Sequence, residues 1–181
     1  MSRRMQLNAS KTEALWVGSR FSLAKLSNRD DSIQIATSTI RPLTVIRDLG
    51  VYLDSELSMK QHIAKVAALC LYHLRCLCQN HRRVSSKVTT HLILALIMSR
   101  LDYCTLVLAC LPLATIAALQ LVQNTAARLI FELGTREHVT ASLLQLHCLP
   151  VHWQVRFKLC CLMYLTNVVS PIDFGHPHHG L

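Results

Sequence analysis

The feature that most constrains the fold is an uncharged, mainly apolar run from Tyr103 to Ala127. Residues 103–122 of this run are long enough to cross a bilayer as one helix, since a span needs about 20 apolar residues. Pro112 lies in the middle of that segment, and a proline ends a helix because it lacks an amide hydrogen and clashes with the preceding turn. We therefore predict two packed core helices that meet at Pro112. A membrane-associated protein that inserts residues 103–122 is the alternative.

The composition indicates a folded chain with a large apolar core. Hydrophobic residues make up 51% of the 181 residues and charged residues 16%, which excludes the disordered class. Lysine and arginine number 19 against 10 aspartate and glutamate, so the net charge is +9. This charge favours phosphate backbones or anionic lipid as partners, and a basic globular protein with no polyanion partner is the alternative. Eight cysteines in so apolar a chain, with no secretory signal at its start, indicate reduced, mostly buried thiols. This predicts an intracellular location, in the nucleus or the cytoplasm.

The hydrophobic periodicity predicts an α+β, mainly α fold. Residues 1–57 form a small β segment, with strands at 13–17, 33–35 and 43–53, a turn or bulge at Asp48-Leu49-Gly50, and a polar loop at 19–32. Residues 58–169 form a helical bundle, and residues 170–181 are predicted to be a disordered tail. The predicted helices cover 59–83, 86–111, 113–133, 140–147 and 151–168. Ser58 with Gln61 is expected to cap the first helix, Thr140 the fourth, and Gly134 to close the third.

The first helix has one apolar and one basic face. At 100° per residue, Ile63, Cys70 and Leu74 lie on one side, and lysine and arginine lie on the other half. Such a face can contact phosphates of a nucleic acid without reading its sequence, or it can simply be solvated. The candidate binding residues are Lys60, Lys65, Arg75, Arg82 and Arg83. The cysteines and histidines of this helix spread around its circumference, so no metal site is predicted there.

Four motifs resemble the reverse transcriptase of non-LTR (LINE-type) retrotransposons. They are Leu7–Glu13, Asp48–Asp54, Ser99–Cys104 and Val122–Ile130, and the likeness extends over about residues 7–169. The matching part is the end of the palm, the thumb and the helices beyond it. The resemblance implies that the basic helix after Ser58 is thumb-like.

The resemblance also implies roles for individual residues. Lys11 would lie near the incoming nucleotide, and Leu49, Gly50 and Val51 would form a hairpin that grips the primer. The family's magnesium ions are held by aspartates that precede the Lys11 motif, and this chain begins after that point, so we expect it to be non-catalytic and without a metal or other cofactor. Asp30 and Asp31 follow the motif and are expected to solvate a loop.

Three hypotheses for function follow from these observations. The first is a truncated reverse transcriptase fragment with weak, sequence-independent binding of RNA or DNA. The second is a helical protein-interaction module, whose partner would be a polymerase core supplied as a separate chain. The third is the membrane-associated protein described above, which Pro112 makes the least favoured.

Overall fold

In the computed structural model the described residues are Asn8, 11–26, 32–35, 38–80 and 83–169. The predicted fold class is confirmed, because two small β-hairpins precede a set of helices and the fold is α+β and mainly α. Residues 1–68 and 69–181 form two compact units. The division lies within the second helix, whereas the composition changes at residue 58. The predicted tail at 170–181 lies outside the described residues.

The first unit contains two antiparallel hairpins. The predicted strand at 33–35 is present, and the predicted strand at 43–53 is folded into a hairpin by a turn at Leu49 and Gly50. The predicted strand at 13–17 is reduced to one parallel bridge between Leu15 and Leu43. The strands are β1 (Ile33–Ile35), β2 (Ser38–Ile40), β3 (Val45–Asp48) and β4 (Val51–Asp54), paired β1 with β2 and β3 with β4.

The segment 19–32, predicted as a loop, contains a short helix, α1 (Arg20–Leu26). Ser19 starts it, since its Oγ accepts a hydrogen bond of 3.2 Å from the Ser22 amide, as serine does at many helix starts. α1 buries no residue. Because this helix has no buried apolar face, hydrophobic periodicity could not predict it. The capping serine at its start was the signal in the sequence.

The second helix, α2 (Lys60–Asn80), is started by Asp54 instead of the predicted pair Ser58 and Gln61. The carboxylate of Asp54 accepts hydrogen bonds from the Ser58 hydroxyl (2.5 Å) and from the Met59 amide (3.1 Å). Burial by itself raises the pKa of Asp54, but these hydrogen bonds to the ionised form outweigh it and hold the pKa below its usual value. The predicted cap is wrong because Asp54, brought close by β4, replaces the local serine.

The second unit begins its next helical stretch as predicted and ends it earlier. Ser85, in an extended conformation, precedes α3 (Ser86–Ile93). A π-helical turn at Leu94–Met98 and α4 (Ser99–Asp102) continue the stretch. The predicted end at 111 is wrong, because Cys104 adopts a left-handed conformation (φ 55°) and a short 3₁₀ turn follows at Thr105–Leu108.

Three side chains of this stretch form one buried row. Ile93 and Ile97 are fully buried and Leu101 is nearly so, at a constant spacing of four residues. The π-helical turn lies between the first and the last of them. The row contributes one wall of the core of the second unit.

The segment that was the candidate membrane span is divided. Its first part is the 3₁₀ turn at Thr105–Leu108, and its second part begins α5 (Leu113–Ile130), with Pro112 immediately before the helix. Among the described residues, no helix combines the length and the hydropathy that crossing a membrane requires.

α5 is the central helix of the second unit, and it packs against α3, α6 (Thr140–Gln145) and α7 (Val151–Val169). Its predicted closure by Gly134 is wrong. Glu132 takes the left-handed position (φ 53°) and the Leu133 amide donates to the Arg128 carbonyl, which is the hydrogen-bond pattern of a Schellman motif. Likewise α6 ends at Gln145, two residues short of the predicted end, and Val139, not Thr140, precedes its first turn.

A buried amide network joins α5 to the start of α7. Gln123 is fully buried, and its Nε2 donates to the Leu149 carbonyl at 2.8 Å. Gln120 donates to Gln123 Oε1 and accepts from the Val151 amide at 2.8 Å. The polar groups at the end of the apolar run therefore satisfy backbone groups of the segment that leads into α7.

The prediction that the thiols are mostly buried is wrong. Cys70 alone of the eight is fully buried, three are half-buried and four are exposed. Burial raises the pKa of the Cys70 thiol, with a smaller opposing effect of Arg100, and burial together with Asp102 raises the pKa of Cys148. These two thiols are therefore held in the protonated, less reactive form.

Candidate nucleic-acid interface

The three primer-grip-like residues lie at the tip of the β3–β4 hairpin. Leu49 and Gly50 are the two turn residues, with φ of 45° and 84°, and two positive φ values are the mark of a type I′ turn. Leu49 is 82% exposed, whereas Val51 is buried as the first residue of β4. The sequence thus folds this triplet into a tight hairpin tip, with a leucine where a glycine or an asparagine would be less strained.

Two residues behind the tip, a cation and an aromatic ring face each other. Arg47 on β3 pairs with Tyr52 on β4, and the guanidinium carbon lies 5.6 Å from the centre of the tyrosine ring. Sequence reasoning did not select either residue. The signal was present, because a two-residue turn at Leu49 and Gly50 places Arg47 directly opposite Tyr52.

The basic face of α2 meets this pair through Lys65. The Lys65 ammonium lies 3.7 Å from the centre of the Tyr52 ring, within the range of a cation–π contact worth about 0.5–1 kcal/mol at an exposed site. Lys60, the first residue of α2, is also exposed. We call Arg47, Tyr52 and Lys65 the hairpin–helix patch, and all three lie in the first unit, as does Lys60.

The acidic residues nearest in sequence to this patch are partly neutralised. Asp54 is held by the start of α2, as described above. Glu56 forms an ion pair with Arg20, with 3.2 Å between Oε1 and Nε. Asp48 is exposed beside the hairpin tip and lowers the local positive charge. The patch therefore carries two cations, and the acid exposed beside them is Asp48.

The remaining predicted cations lie in the second unit. Arg75 is exposed on α2. Arg83 is exposed but lies beyond the end of α2 at Asn80, so its predicted place on the helix is wrong. Arg82 lies outside the described residues. The structure thus joins one of the five predicted residues, Lys65, to the hairpin, and places Lys60 on the same unit.

Lys11 lies in a turn ahead of the first unit's strands. Its side chain is exposed, and its amide donates to the Asn8 carbonyl at 3.1 Å. Thr12 Oγ1 donates to the same carbonyl at 2.8 Å. Asp30 and Asp31 lie outside the described residues. Lys11 therefore stays a candidate from the motif alone.

Metal and small-molecule chemistry has little support at this patch. Within the described ranges, no three histidine, cysteine, aspartate or glutamate side chains are grouped closely enough to hold a metal ion. Lys65 covers one face of Tyr52, which leaves that face without room for a stacked base. The arrangement offers exposed cations, which suit phosphate oxygens.

Comparison of the chain with protein-family models, with curated protein sequences and with solved structures found no match.

Proposed function

We propose that this chain derives from the reverse transcriptase of a LINE-type retrotransposon and binds the phosphate backbone of RNA or DNA without reading sequence. The ancestry is supported by the four motifs in the sequence. The binding function is supported by the hairpin–helix patch, which brings a thumb-like helix and a grip-like hairpin onto one surface. The proposal concerns binding of the phosphate backbone alone.

The observation that carries the binding proposal is the contact between Lys65 and Tyr52 at 3.7 Å. It orders a lysine side chain that would otherwise sample many rotamers, so less conformational entropy is lost when a phosphate binds. Arg47 and Lys60 add two exposed cations on the same unit. Contacts of this kind position a nucleic acid and carry no base specificity.

A salt titration tests the binding function. A fluorescently labelled DNA duplex of about 20 base pairs is titrated with the protein at several salt concentrations, and the dissociation constant is measured by fluorescence anisotropy. If Arg47, Lys60 and Lys65 each contact a phosphate, the logarithm of the association constant should fall with the logarithm of the salt concentration with a slope of about −3. Each contact contributes about −0.9 to this slope for B-form DNA. Absence of binding at low ionic strength, or an affinity that does not change with salt, would refute the proposal.

A pair of charge-matched variants locates the interface. Lys65→Gln should weaken binding and reduce the salt slope by about 1. Lys25→Gln removes the same charge from an exposed position of α1 outside the patch, and it should leave the slope unchanged. Equal losses in the two variants would mean that net charge alone attracts the nucleic acid.

Sequence independence has its own test. Single strands of mixed sequence, of thymidine only and of adenosine only should bind with affinities within about threefold of each other, because phosphate contacts are the same in all three. A strong preference for one homopolymer would indicate base readout and would contradict this part of the proposal.

A second candidate function, the helical protein-interaction module, is favoured by the second half of α7. All described side chains from Cys160 to Val168 are exposed, although most of them are apolar. The partner that the resemblance implies is a polymerase core on a separate chain. Co-purification of such a core with the wild-type chain, lost in Tyr164→Ser, would support this function, and unchanged recovery in the variant would count against it.

A further inference from the structure

The second unit contains an open groove of about 550 Å³ between α2 and the C-terminal half of α5. This volume is within the range of small-molecule sites in proteins. The lining residues of α2 are Leu71, Leu74, Arg75 and Cys78, and those of α5 and its following turn are Thr125, Arg128, Leu129, Glu132, Leu133 and Thr135. On α2 they span eight residues, which is about 10 Å of helix, so the groove is elongated along the helix axis.

The walls of the groove are mainly apolar. Leu74 is buried at its floor, and Leu71, Leu129 and Leu133 are half-buried. An occupant that covers these side chains removes apolar surface from water, which is favourable in proportion to the area covered. The body of the occupant is therefore expected to be an apolar chain.

Two arginines, Arg75 and Arg128, are among the residues that line the groove. Arg75 is exposed, and Arg128 is half-buried with its Nε sealed from solvent and without a hydrogen-bond acceptor. The Nη2 atom of Arg128 makes one long contact, 3.5 Å, to the Glu137 carbonyl. Within the described part of the chain neither arginine is in an ion pair, so two guanidinium groups face one exposed carboxylate, Glu132.

A partly desolvated, unpaired guanidinium is unfavourable, and a carboxylate relieves this by accepting two parallel hydrogen bonds. We propose that the groove binds a linear aliphatic carboxylate, with the chain along the leucines and the carboxylate at Arg75 and Arg128. This inference goes beyond nucleic-acid binding and does not rest on it, although Arg75 belongs to both sets of candidate residues.

Calorimetric titration of the full chain with octanoate, decanoate and dodecanoate, each below its micelle concentration, tests the ligand class. The affinity should rise about fourfold per added methylene, as expected for burial of each group against the leucines. Dodecyltrimethylammonium has the same chain with a cationic head and should bind at least about tenfold more weakly, because the arginines repel it. Equal affinity for the two head groups, no dependence on chain length, or no saturable binding would each overturn the proposal.

Substitutions locate the site. Leu71→Trp fills the groove and should abolish the gain in affinity with chain length, and Arg128→Gln should remove the preference for the anionic head. Lys87→Gln lowers the net charge at an exposed position of α3 and should bind dodecanoate as the wild type does. Loss of binding in Lys87→Gln equal to that in Arg128→Gln would overturn the assignment of the head group.

A measurement on the unmodified chain keeps the test independent of whether the variants fold. Cys78 is exposed and lines the groove, whereas Cys110 is exposed elsewhere in the second unit. Bound dodecanoate should slow alkylation of Cys78 at least about fivefold, measured by peptide mass spectrometry, and leave Cys110 unchanged. Slowing of both thiols, or of neither, would contradict binding in this groove. Lys65→Gln should weaken nucleic-acid binding and leave dodecanoate binding unchanged. The carboxylate proposal and the nucleic-acid proposal can therefore fail independently of each other.

Discussion

α5 and the second half of α7 are made of similar residues but have opposite surroundings. From Leu113 to Ala127, α5 has no charged residue, and α7 has none from Leu159 onward. α5 contacts α3, α6 and α7, and six of its side chains are buried. α7 buries Val151 and Val155 in its first half, yet every described side chain from Cys160 to Val168 is exposed. Apolar composition therefore shows which segments avoid water, but not which of them has a neighbour to pack against.

The largest test of this contrast removes the same side chain from each helix. Leu119 of α5 is 3% exposed and Leu165 of α7 is 54% exposed. Leu119→Ala should lower the free energy of unfolding by about 2–5 kcal/mol, because it leaves a cavity in a packed core. Leu165→Ala should change it by less than about 0.5 kcal/mol. Urea unfolding followed by circular dichroism measures both, and similar losses would mean that α7 is packed in solution.

A second test concerns the amide network that only α5 has. Gln123→Leu keeps the side-chain volume but removes two hydrogen bonds of a fully buried amide, to the Leu149 carbonyl and from Gln120, so the free energy of unfolding should fall by about 1–3 kcal/mol. Gln145→Leu, at the exposed end of α6, is the matched control and should have little effect. A neutral or stabilising Gln123→Leu would show that the network contributes specificity without stability.

The thiols give a third test, through reactivity. Cys160 and Cys161 on the exposed half of α7 should react with iodoacetamide at least about tenfold faster than Cys70 and Cys148, which burial holds protonated. A raised pKa also means that the folded state retains a proton that the unfolded state loses as pH rises above the ordinary thiol pKa of 9.0. The stability contributed by the protonated Cys70 and Cys148 is therefore complete below that pH and is lost as pH rises through their raised pKa values. The alkylation rates are measured at pH 7.5 by mass spectrometry of the cysteine-containing peptides. Equal rates for all four thiols would contradict the contrast between exposed and buried cysteines.

The smallest expected effect concerns the ion pair that anchors the first half of α7. Lys158 Nζ lies 2.5 Å from Asp102 Oδ1 and donates to the Asp102 carbonyl at 3.0 Å. Both side chains are partly exposed, so Lys158→Met should cost less than about 1 kcal/mol, and the cost should shrink in 1 M salt. Lys87→Met on α3 serves as the control for the lost charge. A loss that does not depend on salt would point to packing of the lysine stem as the cause.

The same contrast explains what the sequence could predict about the fold. The alternation at residues 33–35 and the proline before α5 act locally, and the corresponding elements form where expected. Cys104 and Glu132 take left-handed conformations that their residue types do not signal, so the ends of two helices were predicted too late. Asp54 lies only four and five residues before its partners, Ser58 and Met59, but it reaches them from the end of β4, which the usual helix-capping pattern does not include.

The candidate interface divides in the same way. Lys60 and Lys65 follow from helical periodicity alone. Arg47 and Tyr52 enter only through the pairing of two strands, and Tyr52 is recognised as part of the patch only once Lys65 lies over its ring. The groove between α2 and α5 depends on the packing of two helices distant in sequence, which periodicity does not specify.

The π-helical turn at Leu94–Met98 lets side chains spaced four residues apart share one face of the core. In an α-helix, side chains four residues apart drift by about 40° around the axis, so a row at spacing four turns away from the core. The wider turn removes this drift, and Ile93, Ile97 and Leu101 stay aligned and buried. Substitution of the exposed Ala95 leaves that alignment intact. Deletion of one residue from the turn should restore a regular α-helix, in which the seven steps that then separate Ile93 and Leu101 make about 700°, nearly two full turns, so both side chains should stay in the core.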